Sequence, residues 1–223
     1  ADGKGEIEHF INAFTVNETY FYREEHQLQC LSNDLLRERL EVNRGAPLRI
    51  WSAPCSTGEE PYSIAIWLLE NWPHVDDHEI EIIGSDIDTR AIDAARDGFY
   101  SRRALMRLDP DLIGRYFEQH DDDTWRIIED LRSSIQFRAV NLVEAGETSS
   151  HGRFDVIFCR NVLIYFDDAS RRMAADNLFE GLAPGGFICL GHSEPMSRIS
   201  PLFDVRRSGD AIVYQRPLGE GRG

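Results

Sequence analysis

The sequence predicts an α/β fold: a seven-stranded, mostly parallel, Rossmann-like sheet with an antiparallel C-terminal hairpin and a small β-hairpin insertion. Three observations carry this. Residues 49–70 run from a short apolar strand, Ile50-Trp51-Ser52-Ala53, through a tight turn, Pro54-Cys55-Ser56-Thr57-Gly58, into an amphipathic helix. That is the unit over whose loop a ligand sits in nucleotide-type folds. Two further apolar strands, 79–86 and 154–159, end in the polar residues Asp86 and Arg160-Asn161, at the carboxyl ends where open α/β sheets bind ligands. Residues 203–214 read as a hairpin turning at Ser208-Gly209.

In chain order, residues 1–8 read as a loose tail, and Phe10, Phe14 and Val16 precede Asn17-Glu18-Thr19-Tyr20-Phe21-Tyr22-Arg23. Aromatics this dense beside one arginine fit either a core with a charged rim or a working Arg23. Across 24–42, Leu28, Leu31, Leu35, Leu36 and Leu40 fall at helical spacing, and Asn43-Arg44-Gly45-Ala46-Pro47 stops that helix. After the first strand, Ser56-x-x-Glu59 has the spacing of a capping box and Thr57-x-x-Glu60 offers a second register. Pro61 belongs in a first helical turn, which puts the start near Thr57, with Ile64, Ala65, Leu68 and Leu69 as the buried face. At the end of the second strand, Asp86 suits a ribose diol, while Asp88 suits the N-cap of a helix over 89–96.

Residues 98–132 break the βαβ rhythm. Asp109-Pro110 starts a short helix carrying Leu112, Ile113, Tyr116 and Phe117, and 118–128 reads as a hairpin with an acidic turn. The expectation is a rim insertion, serving substrate recognition or structure alone. Residues 135–140 alternate as a third strand, and 154–159 is a central strand buried on both faces. Residues 162–166 begin a helical segment bearing Tyr165. A helix over 168–182, ended by Gly181 and Pro184-Gly185-Gly186, leads to a strand over 187–191 and then His192-Ser193-Glu194-Pro195. The organisation expected is a tail and linker over 1–23, a main domain over 24–216 containing the insertion 98–132, and a disordered tail over 217–223.

The 223 residues suffice for one α/β domain. No apolar run approaches the ~18 residues needed to span a bilayer, and no signal peptide is visible at the start. Cys30, Cys55, Cys159 and Cys189 are scattered without a CxxC pair, as in reduced thiols of a cytoplasmic protein; metal ligation is the poorer reading. The net charge of −15 opposes phosphate-backbone binding, so no nucleic-acid partner is expected. Arg102, Arg103 and Arg107, and likewise Arg171 and Arg172, read as solvated helix faces before a basic patch.

The loop after the first strand lacks both GxGxxG and GxxxxGK[ST], so it cannot cradle a pyrophosphate on glycine amides. It holds one glycine, Gly58, followed by two carboxylates that would repel phosphate. A ligand with a positive centre and hydroxyls fits better, and S-adenosylmethionine has a sulfonium, an ammonium, a ribose diol and no phosphate. An α/β sheet closed by an antiparallel hairpin is also the outline of class I methyltransferases.

The segments S-T-G-E-E-P-Y-S at 56–63, S-D-I-D at 85–88, F-C-R-N-V-L-I-Y-F at 158–166 and G-H-S-E at 191–194 resemble the chemotaxis receptor methyltransferases of the CheR type. Thr19-Tyr20-Phe21-Tyr22-Arg23 is similar to that family's T-x-F-F-R pattern, with Tyr22 in place of Phe. The motifs stand in family order over residues 17–216. The resemblance implies a class I S-adenosylmethionine-dependent methyltransferase fold and methyl transfer to the γ-carboxylate of receptor glutamates. It implies cofactor contacts at Asn17, Thr19, Arg23, Glu59, Asp86, Asn141, Leu142, Arg160 and Asn161, with Arg23 and Tyr165 beside the transferred methyl and no metal. The partner implied is the cytoplasmic domain of methyl-accepting chemotaxis receptors, with a receptor-tail peptide at the β insertion in some members. Members usually begin with a helical N-terminal domain that helps dock the receptor. This chain enters almost directly at the cofactor linker, so the expectation is the catalytic domain without it.

Such a reaction is an in-line displacement at the sulfonium methyl. A glutamate carboxylate, with a pKa of ~4.3, is ionised at neutral pH, so no general base is needed. Arg23 would hold that carboxylate by charge-assisted bonds and Tyr165 would position it or pack against the sulfur. Asp86 would bind ribose hydroxyls, and Glu59 would meet the ammonium or cap its helix. His192 and Glu194 are assigned to shaping the site wall. Two rivals remain: a methyltransferase for another carboxyl or hydroxyl acceptor, and a non-catalytic module that binds S-adenosylmethionine. A nucleic-acid methyltransferase is disfavoured by the charge and by Asn161-Val162-Leu163-Ile164 where an N-P-P-Y-like motif would stand.

Overall fold

The computed structural model describes residues 18–43, 45–194 and 196–219. The expectations for 1–17, including Phe10, Phe14, Val16 and the cofactor contact Asn17, and for the tail over 220–223, lie outside the described residues.

Alternating burial builds a sheet covered on both faces. Its strands are β1 (Leu48–Ser52), β2 (Ile80–Asp86), β6 (Ile135–Ala139), β7 (Phe154–Cys159), β8 (Leu182–Leu190), β9 (Asp204–Ser208) and β10 (Ala211–Gln215), in the spatial order β6-β2-β1-β7-β8-β10-β9. The pairs β1–β2, β1–β7, β2–β6 and β7–β8 are parallel, and β10 runs antiparallel to β8 and β9. Successive residues feed opposite cores: Ile50, Ile82 and Val156 join one cluster, Trp51, Ile83 and Ile157 the other. The first cluster takes the helices α1 (Glu25–Cys30), α2 (Leu36–Val42), α3 (Glu59–Asn71) and α4 (Thr89–Asp97); the second takes α8 (Asp168–Gly181). The predicted seven-stranded α/β fold is the one observed.

The insertion is also present: β3 (Phe99–Ser101), α5 (Pro110–Tyr116), β4 (Phe117–Gln119) and β5 (Thr124–Ile127) give a separate antiparallel sheet of order β3-β5-β4. Two short helices, α6 (Glu129–Ser134) and α7 (Ala145–Ser149), flank β6. Asp88 caps α4 as predicted, its carboxylate accepting from the Arg90 and Ala91 amides.

Five local expectations need correction. The helix over 24–42 is interrupted by a π-helical turn, Leu31–Leu35, between α1 and α2, though Leu28, Leu31, Leu35 and Leu36 are buried as the spacing required. Helix α3 starts at Glu59, not near Thr57, and no capping box forms: Gly58, the N-cap, sits at φ 95° and no side chain caps it. That helix is not amphipathic either, since Pro61 to Leu68 are all buried and Leu69 is exposed. The strand expected over 187–191 begins at Leu182, taking in Pro184-Gly185-Gly186 through a register shift against β7. Gly186 allows this, because a Cβ there would lie 2.9–3.1 Å from three backbone carbonyl oxygens. The C-terminal hairpin turns through Gly209-Asp210, one residue later than read from sequence.

The end of the sheet opposite the cleft is fixed by a buried ion pair. Asp155 accepts from Arg39 Nε at 2.9 Å and from the Arg49 amide at 2.9 Å, and the Arg39 and Asp155 side chains are 3% and 5% exposed. Asp155→Ala is expected to cost about 3–5 kcal/mol by orphaning a buried guanidinium. It should lower the urea midpoint without changing the m-value. Adding Arg39→Met should recover part of the loss.

Candidate functional site

β1 and β7 are neighbours, yet β1 leads to α3 on one face and β7 to α8 on the other. This is the point where strand order reverses, and the loops leaving the two carboxyl ends part to form a crevice. A two-lobed cleft opens there. The first lobe, about 290 Å³, is lined by Glu18, Thr19, Tyr20, Arg23, Cys55, Ser56, Glu60, Asp86, Arg160, Asn161 and Tyr165 among others. The second, about 370 Å³, is lined by Val140, Asn141, Leu142, Val143, Asp167 and Ser170, and shares Pro54, Asp86, Ile87, Val162, Tyr165 and Phe166 with the first.

The loop after β1 opens with a cis Ala53–Pro54 bond. Four non-glycine residues among those described have left-handed φ, namely Tyr22 (57°), Glu24 (55°), Ser56 (49°) and Asn161 (59°). Ser56 and Asn161 line the cleft, and Tyr22 and Glu24 bracket Arg23. Each such residue costs of order 1–3 kcal/mol and persists only where neighbours hold it. The Ser56 amide donates to Asp86 Oδ2 at 2.8 Å, the Asn161 amide to Glu194 Oε2 at 2.5 Å and the Tyr22 amide to Ser63 Oγ at 3.0 Å.

Asp86, 5% exposed, receives the Asp88 amide on its other oxygen at 3.0 Å. Burial pushes its carboxyl up and those backbone amides pull it back. Arg160, 7% exposed, spans the cleft floor: Nη1 reaches Glu60 Oε2 at 2.8 Å, and Nη2 reaches the Arg23 carbonyl at 2.8 Å and Glu24 Oε2 at 3.4 Å. Glu60 also accepts from Ser52 Oγ at 2.7 Å. Glu194 gathers the amides of Gly191, Asn161 and Ile164 on its two oxygens and so shapes the loop after β7; His192 is exposed and does not line the cleft.

Arg23 stands at the rim because the aromatics before it are anchored. Phe21 packs edge-on to Tyr100 at 4.8 Å and to Phe117 at 5.2 Å, and Tyr22 against Trp67 at 5.5 Å. The guanidinium donates Nη1 to the Glu18 carbonyl at 2.8 Å and lies 5.8 Å from the Tyr20 ring centre. Phe21 and Tyr22 are core, whereas Tyr20 and Arg23 line the cleft. Tyr165, on a single 3-10 turn (Leu163–Tyr165), is 65% exposed and lines both lobes, so it is no buried packing residue.

The fold therefore brings together Thr19, Arg23, Asp86, Arg160, Asn161 and Tyr165, with Asn141 and Leu142 on the second lobe. Glu59 is not among them. Its side chain is buried behind the loop, accepting from Thr57 Oγ1 at 2.7 Å, and its neighbour Glu60 faces the cleft instead. Sequence reasoning counted Glu60 only as one of two loop carboxylates, not as a cleft residue, and missed Ser56 and Tyr20. A helix start at Glu59 would have flagged Glu60, since adjacent helical residues point about 100° apart. Among the described residues, no group of His, Cys, Asp or Glu is arranged to hold a metal, the four cysteines are buried and unpaired, and no helix is long and apolar enough to cross a membrane.

A family model described as CheR methyltransferase, SAM binding domain, matches residues 17–211. Chemotaxis protein methyltransferase 2 of Vibrio cholerae is 47% identical over 212 residues, covering 95% of this chain and 74% of that protein. Chemotaxis protein methyltransferase 2 of Pseudomonas aeruginosa is 42% identical, covering 93% and 73%. Among solved structures, an O-methyltransferase family protein from Burkholderia thailandensis superposes with a TM-score of 0.51 at 15% identity, covering 88% of this chain and 57% of that one, a likeness of fold.

Burial pushes the Glu59 carboxyl up to about 7, partly opposed by the Thr57 hydroxyl. Unfolded, this group ionises near pH 4.5; folded, it keeps its proton to about 7. The folded state thus binds more protons in that window, and the stability this group contributes is full below pH 4.5 and lost as pH rises through 7. At about 1.4 kcal/mol per pKa unit, that is about 3 kcal/mol. Glu59→Gln should remove this slope, so urea denaturation at pH 5 and pH 8 should show a smaller difference for the variant than for the parent.

Proposed function

The chain belongs to the CheR family of S-adenosylmethionine-binding methyltransferases, and from that premise we propose that it methylates glutamate γ-carboxylates on the cytoplasmic part of chemotaxis receptors, acting in the cytoplasm to tune their signalling. One observation carries the reading: Arg23, with only one guanidinium nitrogen engaged among the described residues, lines the same cleft as the exposed Tyr165 and the Asp86 carboxylate.

The residues fit the donor. On the first lobe Glu60 pairs with Arg160 and Glu18 with Arg103, while among the described residues the Asp86 carboxylate is in no ion pair, which suits a ligand of net charge +1. S-adenosylmethionine supplies an electrophilic methyl on a sulfonium sulfur. Asp86 keeps acceptor capacity beyond its backbone amide bonds and is proposed to accept the ribose hydroxyls. Asn141 and Leu142, with the apolar Val140, Val143 and Ile87, suit the base, while Thr19, Arg160 and Asn161 suit the amino-acid end. Arg160 acts chiefly through Glu60 and the Arg23 carbonyl, which it fixes. Arg23 holds the acceptor carboxylate by charge-assisted bonds, and Tyr165 orients it. Because that carboxylate is already ionised, no base is needed.

On the same reading, residues 18–23 belong to a linker completing the donor site, residues 24–216 are the catalytic domain, and a receptor-tail peptide docks on the insertion. Exposed Phe99, with Arg126 at 4.8 Å from its ring centre, supports the last of these.

Incubation with methyl-labelled S-adenosylmethionine and receptor cytoplasmic fragments is expected to put base-labile label on glutamate; label that survives base, or label on another residue type, would overturn the acceptor assignment. Arg23→Ala should cut transfer about a hundredfold or more while S-adenosylhomocysteine still binds. Asp86→Ala should weaken that binding about ten- to a hundredfold, read by calorimetry; unchanged affinity would remove Asp86 from the ribose.

A further inference from the structure

Tyr100 sits in the middle of β3, in the insertion, outside the residues that line the cleft, and is 3% exposed. Its hydroxyl donates to the Thr57 carbonyl at 2.9 Å, in the loop that follows β1. Its ring meets the Phe21 ring edge-on at 4.8 Å, two residues before Arg23. One side chain thus touches both halves of the site: the donor loop through its polar end and the acceptor-side linker through its ring.

The surroundings leave this contact little freedom. A Cβ on Gly58 would lie 3.0 Å from the Tyr100 oxygen and 2.9 Å from Ala95 Cβ, so the loop is pressed directly onto the phenol. The Phe21 amide donates to the Ala104 carbonyl at 2.9 Å, within the same insertion, and the Phe21 ring also meets Phe117 of β4. On the loop side, Thr57 turns its hydroxyl to Glu59 and its carbonyl to Tyr100. The insertion thus meets the linker through the Phe21–Ala104 backbone bond and the loop through Tyr100.

We propose that Tyr100 is a positioning residue for methyl transfer, setting the donor loop in register with Arg23, so that the insertion is part of the transfer machinery. The donor half of this inference rests on membership of the family, and the Arg23 half rests on the acceptor role proposed above. The hydroxyl holds the loop that shapes the donor pocket, so its loss shows in donor affinity. The ring stops Phe21, so its loss displaces Arg23 and shows in turnover, where small misplacements of an orienting group cost large factors.

The test separates these. Tyr100→Phe keeps the ring and deletes the bond to Thr57. It should raise the S-adenosylhomocysteine dissociation constant by calorimetry, and KM for S-adenosylmethionine, about two- to tenfold, as expected for one hydrogen bond, with kcat within twofold. Tyr100→Leu should raise both equally and also lower kcat at saturating donor by about tenfold. Should Tyr100→Leu not fold, Phe21→Leu breaks the same ring contact from the other side. Unchanged affinity and KM in Tyr100→Phe, with only a lower melting temperature, would overturn the proposal; a kcat in the Leu variants equal to that of Tyr100→Phe would overturn its Arg23 half. If the parent enzyme binds S-adenosylhomocysteine but labels no receptor glutamate, the acceptor reading fails, while the calorimetry still decides whether Tyr100 holds the donor loop.

Discussion

The site depends on the buried pairing of Arg160 with Glu60. Arg160 leaves the carboxyl end of the central strand β7, and Glu60 stands in the first turn of α3, one hundred residues earlier in sequence. A buried ion pair is a poor source of net stability, because desolvating both charges offsets most of their attraction. What it supplies here is geometry. The same guanidinium holds the carbonyl of Arg23 and the carboxylate of Glu24, so one planar group fixes the sheet, the cofactor-side helix and the linker with respect to each other. Arginine suits this task because its donors point in fixed directions within one plane.

Around that pairing the protein places its backbone strain. Among the described residues, the four non-glycine residues in the left-handed region all stand at the cleft or beside Arg23, and amides from three of them end on side chains from distant segments. Asp86 and Glu194 do similar work on opposite sides: each is a buried carboxylate whose two oxygens collect backbone amides and hold a loop open. Asp86 also lines the cleft, whereas Glu194 serves the wall from behind.

Much of this was legible in the sequence, for reasons that are local. The period-two apolar strands, Asp88 before its helix, the Asp109-Pro110 helix start and the acidic turn of the insertion each follow from a few adjacent residues. Strand ends marked by Asp86 and Arg160-Asn161 located the crevice, because polar residues at those points have no packing role. What failed depended on distant neighbours. The capping box was spelled correctly, but Ala95 and Tyr100 crowd Gly58, the chain turns left-handed there, and α3 starts two residues late. That delay exchanges the roles expected of Glu59 and Glu60. The even burial of α3 likewise reflects the insertion and α1 closing over a face that looked solvent-exposed. The bulge in β8 rests on Gly186 meeting three carbonyls, two of them from β7, which no local pattern encodes.

The position of β10 bears on how the chain is assembled. Among the described residues, the last strand, β10, lies between β8 and β9, and β9 pairs with β10 alone. Until β10 arrives, the growing chain carries an unpaired β8 edge with backbone groups open to other strands. In chain order β9 precedes its partner β10, so the strand beside β8 is not the one that follows it in sequence. Its sequence, Asp204-Val205-Arg206-Arg207-Ser208, carries three charges in five residues, and charge on a waiting edge discourages it from pairing with a second copy. The cleft lies elsewhere, yet its wall after β7 is tied through Glu194 to the end of β8. The cleft wall after β7 therefore leans on β8, a strand whose outer edge is paired by β10.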